Sequence, residues 1–149
     1  MSAELTLRVD VDAPPETVWA AATDWERQRE WLLGTRVRVV SGDGVSVGSE
    51  LEAVTGASPL AVTDHMRITG WQPPWRCDVA HTGRVVRGTG VFAVEPRDAD
   101  RATFVWTEKL ELPLGALGRL GWSLARPAFT WGLRRSLCSF AEFCRAYRR

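Results

Sequence analysis

Apolar and polar residues alternate one by one through most of this chain, and the spacing changes to threes and fours in two places. Leu5, Leu7, Val9 and Val11 alternate with Thr6, Arg8 and Asp10, which is the period of a strand with one buried face. Ala13-Pro14-Pro15 ends that strand. Pro15 suits the first turn of a helix, where its missing N–H has no partner to lose, and Glu16 faces the positive end of the helix dipole. Val18, Trp19 and Ala22 form the inner stripe of this helix. Thr23 or Asp24 then caps a second short helix predicted over Trp25 to Leu33, with Gly34 as its stop.

From Gly34 to Pro113 the pattern is strand after strand. Val37 and Val39 alternate with Arg36 and Arg38, and Leu51, Ala53 and Thr55 alternate with Glu50 and Glu52. Leu60, Val62, Asp64, Met66 and Ile68 share one face, opposite the wetter Thr63, His65, Arg67 and Thr69. After Pro73-Pro74, residues Cys77, Val79 and His81 oppose Arg76, Asp78 and Thr82. Val86, Gly88, Gly90, Phe92 and Val94 follow, and then Phe104, Trp106, Glu108, Leu110 and Leu112. Hairpin-length connections between the last six strands predict an antiparallel meander. Register adds a constraint. For even positions of Leu60 to Ile68 and odd positions of Cys77 to His81 to face inward together, the parity must switch between them. A two- or four-residue loop at Pro73-Pro74 is expected to do this, and a three-residue loop is not.

The last stretch, Leu114 to Arg149, reads as one long amphipathic helix, broken or bent near Pro127, which lacks an N–H and clashes one turn back. Gly118, Trp122, Ala125, Phe129, Leu133, Ser136, Phe140, Phe143 and Tyr147 recur at helical spacing on one side. Arg119, Arg126, Arg134, Arg145, Arg148 and Arg149 lie on the other. So apolar a face needs a large cover, and the strand-rich segment is the candidate. The order of strand, two helices, six strands and long helix is α+β: a seven-stranded curved antiparallel sheet around the C-terminal helix. Residues 1–149 form a single domain in this reading.

Composition narrows the function. A net charge of +1 supplies no field for nucleic acid. Arginines interrupt the C-terminal stretch too often for a membrane span. Met1 to Asp10 lacks the apolar run of a signal peptide. The three cysteines, Cys77, Cys138 and Cys144, have no metal-ligand spacing and read as free thiols in a reducing compartment. The expectation is a cytoplasmic protein with no metal and no cofactor; a homodimer remains open. Eight Trp residues are many for this length. Each buried indole N–H needs a partner, so some are expected at a cavity wall and most in the core.

No Walker loop, nucleophile elbow, HExxH or paired CxxC is present. Gly88 and Gly90 lie mid-strand, where missing side chains leave room for a ligand or a neighbouring side chain. Three ionisable residues fall on inward faces: Asp64, His81 and Glu108. In one reading they are polar anchors of a pocket, with His81 or Glu108 as general acid/base. In the other they sit near strand ends, pair with arginines and hold structure. The rest of the ligand wall is expected to be Met66, Val79, Phe92, Trp106, Trp122, Phe129, Leu133 and Phe140, with Trp31 covering the mouth.

The arrangement resembles the START-related polyketide cyclase/dehydrase (SRPBCC) superfamily, with its helix-grip fold. The resemblance rests on Ala13-Pro14-Pro15-Glu16-Thr17-Val18-Trp19, on Asp24 to Trp31, on Gly88 to Pro96 and on Leu112-Pro113-Leu114-Gly115 before the last helix. It implies an elongated apolar cavity between sheet and final helix. It does not select one activity, because one fold hosts many. Three functions follow. The first is binding of a hydrophobic or aromatic small molecule, lipid or polyketide-like. The second is cyclisation or dehydration of a polyketide by general acid/base catalysis. The third is a protein-interaction role for the arginine face and the Pro73-Pro74 loop.

Overall fold

The computed structural model describes residues 2–112 and 115–148. The strands are β1 (Ser2–Val11), β2 (Thr35–Ser41), β3 (Glu50–Thr55), β4 (Val62–Gln72), β5 (Arg76–Thr82), β6 (Arg87–Asp98) and β7 (Arg101–Glu111). They form one antiparallel sheet in the order β1-β7-β6-β5-β4-β3-β2. The last six are a meander, and β1 joins β7 by pairing Leu5 with Glu108 and Leu7 with Trp106. Helix α1 (Pro15–Ala22) follows β1, and α2 (Ala116–Ala146) closes the chain. This is the curved sheet and long helix that the periodicity predicts. Helix α2 runs through Pro127 as one element. Its expected first residue, Leu114, and its expected last, Arg149, lie outside the described residues, as does Pro113.

Two local expectations are corrected. The second short helix is a 3-10 turn, Trp25–Glu30, and not a helix reaching Leu33. Asp24 makes no cap bond with its side chain. Its Oδ2 instead accepts the Tyr147 hydroxyl at 2.7 Å, so a tertiary contact displaces the local one.

The second correction concerns the β4–β5 hairpin. Gln72 pairs with Arg76, leaving a three-residue loop, Pro73 to Trp75. The parity switch occurs inside the strand. Pairing shifts between Ile68 and Gly70, so Thr69 is the extra residue of a bulge. Below the bulge Met66 faces His81 and Ile68 faces Val79; above it Trp71 faces Cys77. The hydrophobic pattern requires the switch, and the bulge supplies it while the loop stays short. Trp71 thereby turns inward against Trp19, with ring centroids 5.0 Å apart.

The core lies where α2, α1 and the β1–β7 side of the sheet meet. Phe140 is fully buried, and its ring lies 4.6 Å from both Phe104 and Trp31. Ser136, Leu137, Cys144 and Tyr147 continue this contact along the second half of α2. The first half is different: Leu117, Leu120, Leu124 and Trp131 are all exposed. The helix is anchored at its C-terminal end and borders an opening with its middle, from Ala128 to Ser136. No helix among the described residues is long and apolar enough to cross a membrane.

Candidate functional site

The opening is a cavity of about 450 Å³ between the inner face of the sheet and the middle of α2, from Ala128 to Ser136. Leu51, Ala53, Met66, Val79 and Phe92 rise from the strands, while Phe129, Leu133 and Ser136 descend from the helix. Leu33 and Val62 line it and are also 53% and 44% exposed, so the mouth is apolar too. The volume falls in the range of small-molecule pockets, roughly 300–1,000 Å³.

Its polar end is a single cluster. Alternation puts Asp64 (β4), His81 (β5) and Glu108 (β7) on the inner face, and tertiary pairing brings them together. His81 Nδ1 lies 2.9 Å from Asp64 Oδ1, and His81 Nε2 lies 2.7 Å from Glu108 Oε2. Trp106 Nε1 donates to the other Glu108 oxygen at 2.8 Å. The side chains of His81, Glu108 and Asp64 are 4%, 12% and 21% exposed. His81 and Glu108 belong to strands separated by β6, and they meet because β6 carries glycines there. A Cβ on Gly90 would stand 3.0 Å from Glu108 Oε1. Gly88 has φ +132, and a Cβ there would fall 1.9 Å from the Lys109 carbonyl oxygen. The glycine gap is therefore filled by a neighbouring carboxylate, one of the two uses the sequence left open.

Burial opposes a charge on His81, but its hydrogen bonds to both carboxylates and their negative charges outweigh it. The imidazole is raised from 6.5 to about 10. At neutral pH it is an imidazolium donating one N–H to each carboxylate. Cys77, also on the wall, is pushed up to about 12 by burial and by the nearby Asp78 charge, so it stays a thiol and is a poor nucleophile. Among the described residues no group of three or more His, Cys, Asp and Glu side chains is arranged to hold a metal ion.

Of the residues expected at the ligand wall, Met66, Val79, Phe92, Trp106, Phe129 and Leu133 line the cavity. Trp31, Trp122 and Phe140 do not. Trp31, expected at the mouth, is 3% exposed and packs on Phe140 and Trp106. The turn ahead of it is tighter than the predicted helix. Phe140 is one turn too far along α2 and belongs to the core. Trp122 packs on Phe129 at 5.5 Å instead. His65 lies on the exposed face, as its register implies, 3.9 Å from Glu52. Sequence reading passed over Trp25, Gln28 and Cys77 as wall residues. The alternation already put Cys77 inward; Trp25 gave no such signal, because only the folded 3-10 turn brings it over the sheet.

Residues 2–143 match the family described as "Polyketide cyclase / dehydrase and lipid transport". No protein with a curated description matches the sequence. Among solved structures, one from Thermus thermophilus aligns with a TM-score of 0.78 at 20% identity, covering 97% of this chain and 98% of that one. The Zhui aromatase/cyclase from a Streptomyces species gives 0.79 at 14% identity, covering 97% and 94%. A START superfamily protein from Mycobacterium smegmatis gives 0.74 at 15% identity, covering 93% and 97%. At these identities the likeness is one of fold.

Proposed function

Since the chain belongs to the polyketide cyclase/dehydrase and lipid transport family, we propose that it binds a hydrophobic or aromatic small molecule, lipid-like or polyketide-like, between sheet and α2. The observation that carries this is the apolar cavity of about 450 Å³ with its single polar end. Burying an apolar ligand there removes both surfaces from water, at about 25 cal/mol per Å². The reading takes a cytoplasmic setting, which suits the free thiols Cys77, Cys138 and Cys144. Native mass spectrometry of gently purified protein is expected to retain an apolar molecule. Tryptophan fluorescence is expected to shift on titration with lipids or fused-ring aromatics. Val79→Phe, which fills the cavity from its wall, should remove both signals. If the wild type retains nothing and its fluorescence does not move, the reading fails.

A second reading is favoured by the cluster itself: cyclisation or dehydration of a carbonyl-rich substrate by proton transfer. Here Asp64 and Glu108 would exchange protons with the substrate, while His81 holds them in place. No nucleophile enters, in keeping with the protonated Cys77. Glu108→Gln and His81→Ala should then abolish turnover with the fold intact, and undiminished turnover in both would remove these residues from the chemistry.

A further inference from the structure

We infer that the ligand presents a hydrogen-bond donor, a hydroxyl, phenol or amine, to Asp64, and that the cavity rejects carboxylic acids. This rests on the binding reading above and deepens it.

The argument is an inventory of polar groups on the wall. The donors are already engaged within the protein. Trp25 Nε1 donates to the Gly44 carbonyl at 2.8 Å and Gln28 Nε2 to the Ala22 carbonyl at 2.9 Å. Ser136 Oγ donates to the Gly132 carbonyl at 2.8 Å. The Thr35 and Thr55 hydroxyls bond each other at 2.8 Å, and Thr35 also reaches the Leu33 carbonyl. Both N–H groups of His81 and the N–H of Trp106 go to the two carboxylates. One amide hydrogen of Gln28 and the weak thiol donor of Cys77 remain. No arginine or lysine lines the cavity among the described residues.

The acceptors are not all engaged. Glu108 uses both oxygens, on His81 and Trp106. Asp64 uses Oδ1 on His81, and no donor among the described residues reaches Oδ2. Asp64 is the most exposed member of the cluster and lines the cavity. A carboxylate ligand would meet two like charges shared with one imidazolium, and no free cation. A ligand hydroxyl or amine would meet an unengaged carboxylate oxygen and form a charge-assisted bond. An apolar ligand with a donor thus matches both the apolar wall and the unengaged Asp64 oxygen.

The test uses three probes on one ring: 2-naphthol, 2-methoxynaphthalene and 2-naphthoate, titrated into the full-length protein at neutral pH by tryptophan fluorescence and calorimetry. The phenol is expected to bind at least about tenfold tighter than the ether, as one charge-assisted bond requires, and the carboxylate weakest. Asp64→Asn supplies an amide donor where the carboxylate was, and should bring the phenol-to-ether ratio toward one. A merely structural Asp64 would lower both affinities together. If the ether matches the phenol, or the carboxylate matches it, the donor inference is overturned while the cavity reading stands. If none of the three binds, the cavity reading falls and takes this inference with it. The wild-type comparison decides the matter even where Asp64→Asn proves unstable.

Discussion

The two halves of α2 have similar apolar periodicity and very different surroundings. In the second half, Leu137, Phe140 and Cys144 are buried against the core. In the first, the inward Phe129 keeps 37% of its surface. One half has a partner at every inward position. The stretch just ahead of it, from Ala128 to Leu133, borders a space. An amphipathic pattern says that a face wants cover; it does not say whether protein or ligand provides it.

The comparison is broken most directly at Phe140. Phe140→Ala leaves a hole against Phe104 and Trp31 and should cost about 3–5 kcal/mol, read as a lower denaturation midpoint. Phe129→Ala, one phenyl ring lost from the other half, should cost about 1 kcal/mol or less and act mainly on ligand affinity. Equal losses at the two sites would mean that the halves do not differ as described.

Next in size is Gly90→Val. Its Cβ must displace a Glu108 carboxylate already held by His81 and Trp106. The expected loss is about 1–3 kcal/mol, recovered in part by Glu108→Ala in the same chain. Failure of the double variant to recover would separate Gly90 from the cluster.

His81 gives a pH signature. Its folded value, about 10, lies above the unfolded 6.5, so the folded state binds the proton more tightly. The stabilisation is fully present below 6.5, fades as pH rises, and is lost once pH passes through about 10. Wild-type stability should therefore fall between pH 7 and 10 in chemical denaturation, and His81→Gln should flatten that slope. A wild-type profile with no fall over this window would contradict the ion cluster.

The smallest effect is expected outside the contrast. Leu124→Ser, on the solvent side of α2, should change stability by no more than about 0.5 kcal/mol. A larger loss would mean that the exposed face has a partner in solution.

How much was legible follows from which interactions are local. Alternation is local, so strand faces could be read directly, and with them the inward placement of Asp64, His81 and Glu108. Helical spacing is local too, and marked α2 and the inwardness of Phe129, Leu133 and Phe140. The tight turn ahead of Trp31 was not legible. Asp24, the expected cap of that segment, instead accepts from Tyr147, 123 positions away in sequence, a contact no local pattern announces.

The amino-acid order alone thus determined the strands and the long helix, the faces they turn inward and the parity switch between β4 and β5. Only the tertiary structure decided that Thr69 makes the switch, that Phe140 fills core while Phe129 borders a cavity, and that His81 reaches Glu108 across the glycines of β6. The reason is physical. Burial preference is a property each residue carries along the chain, whereas a bulge, a void and a contact over an intervening strand exist only once distant segments are paired and packed.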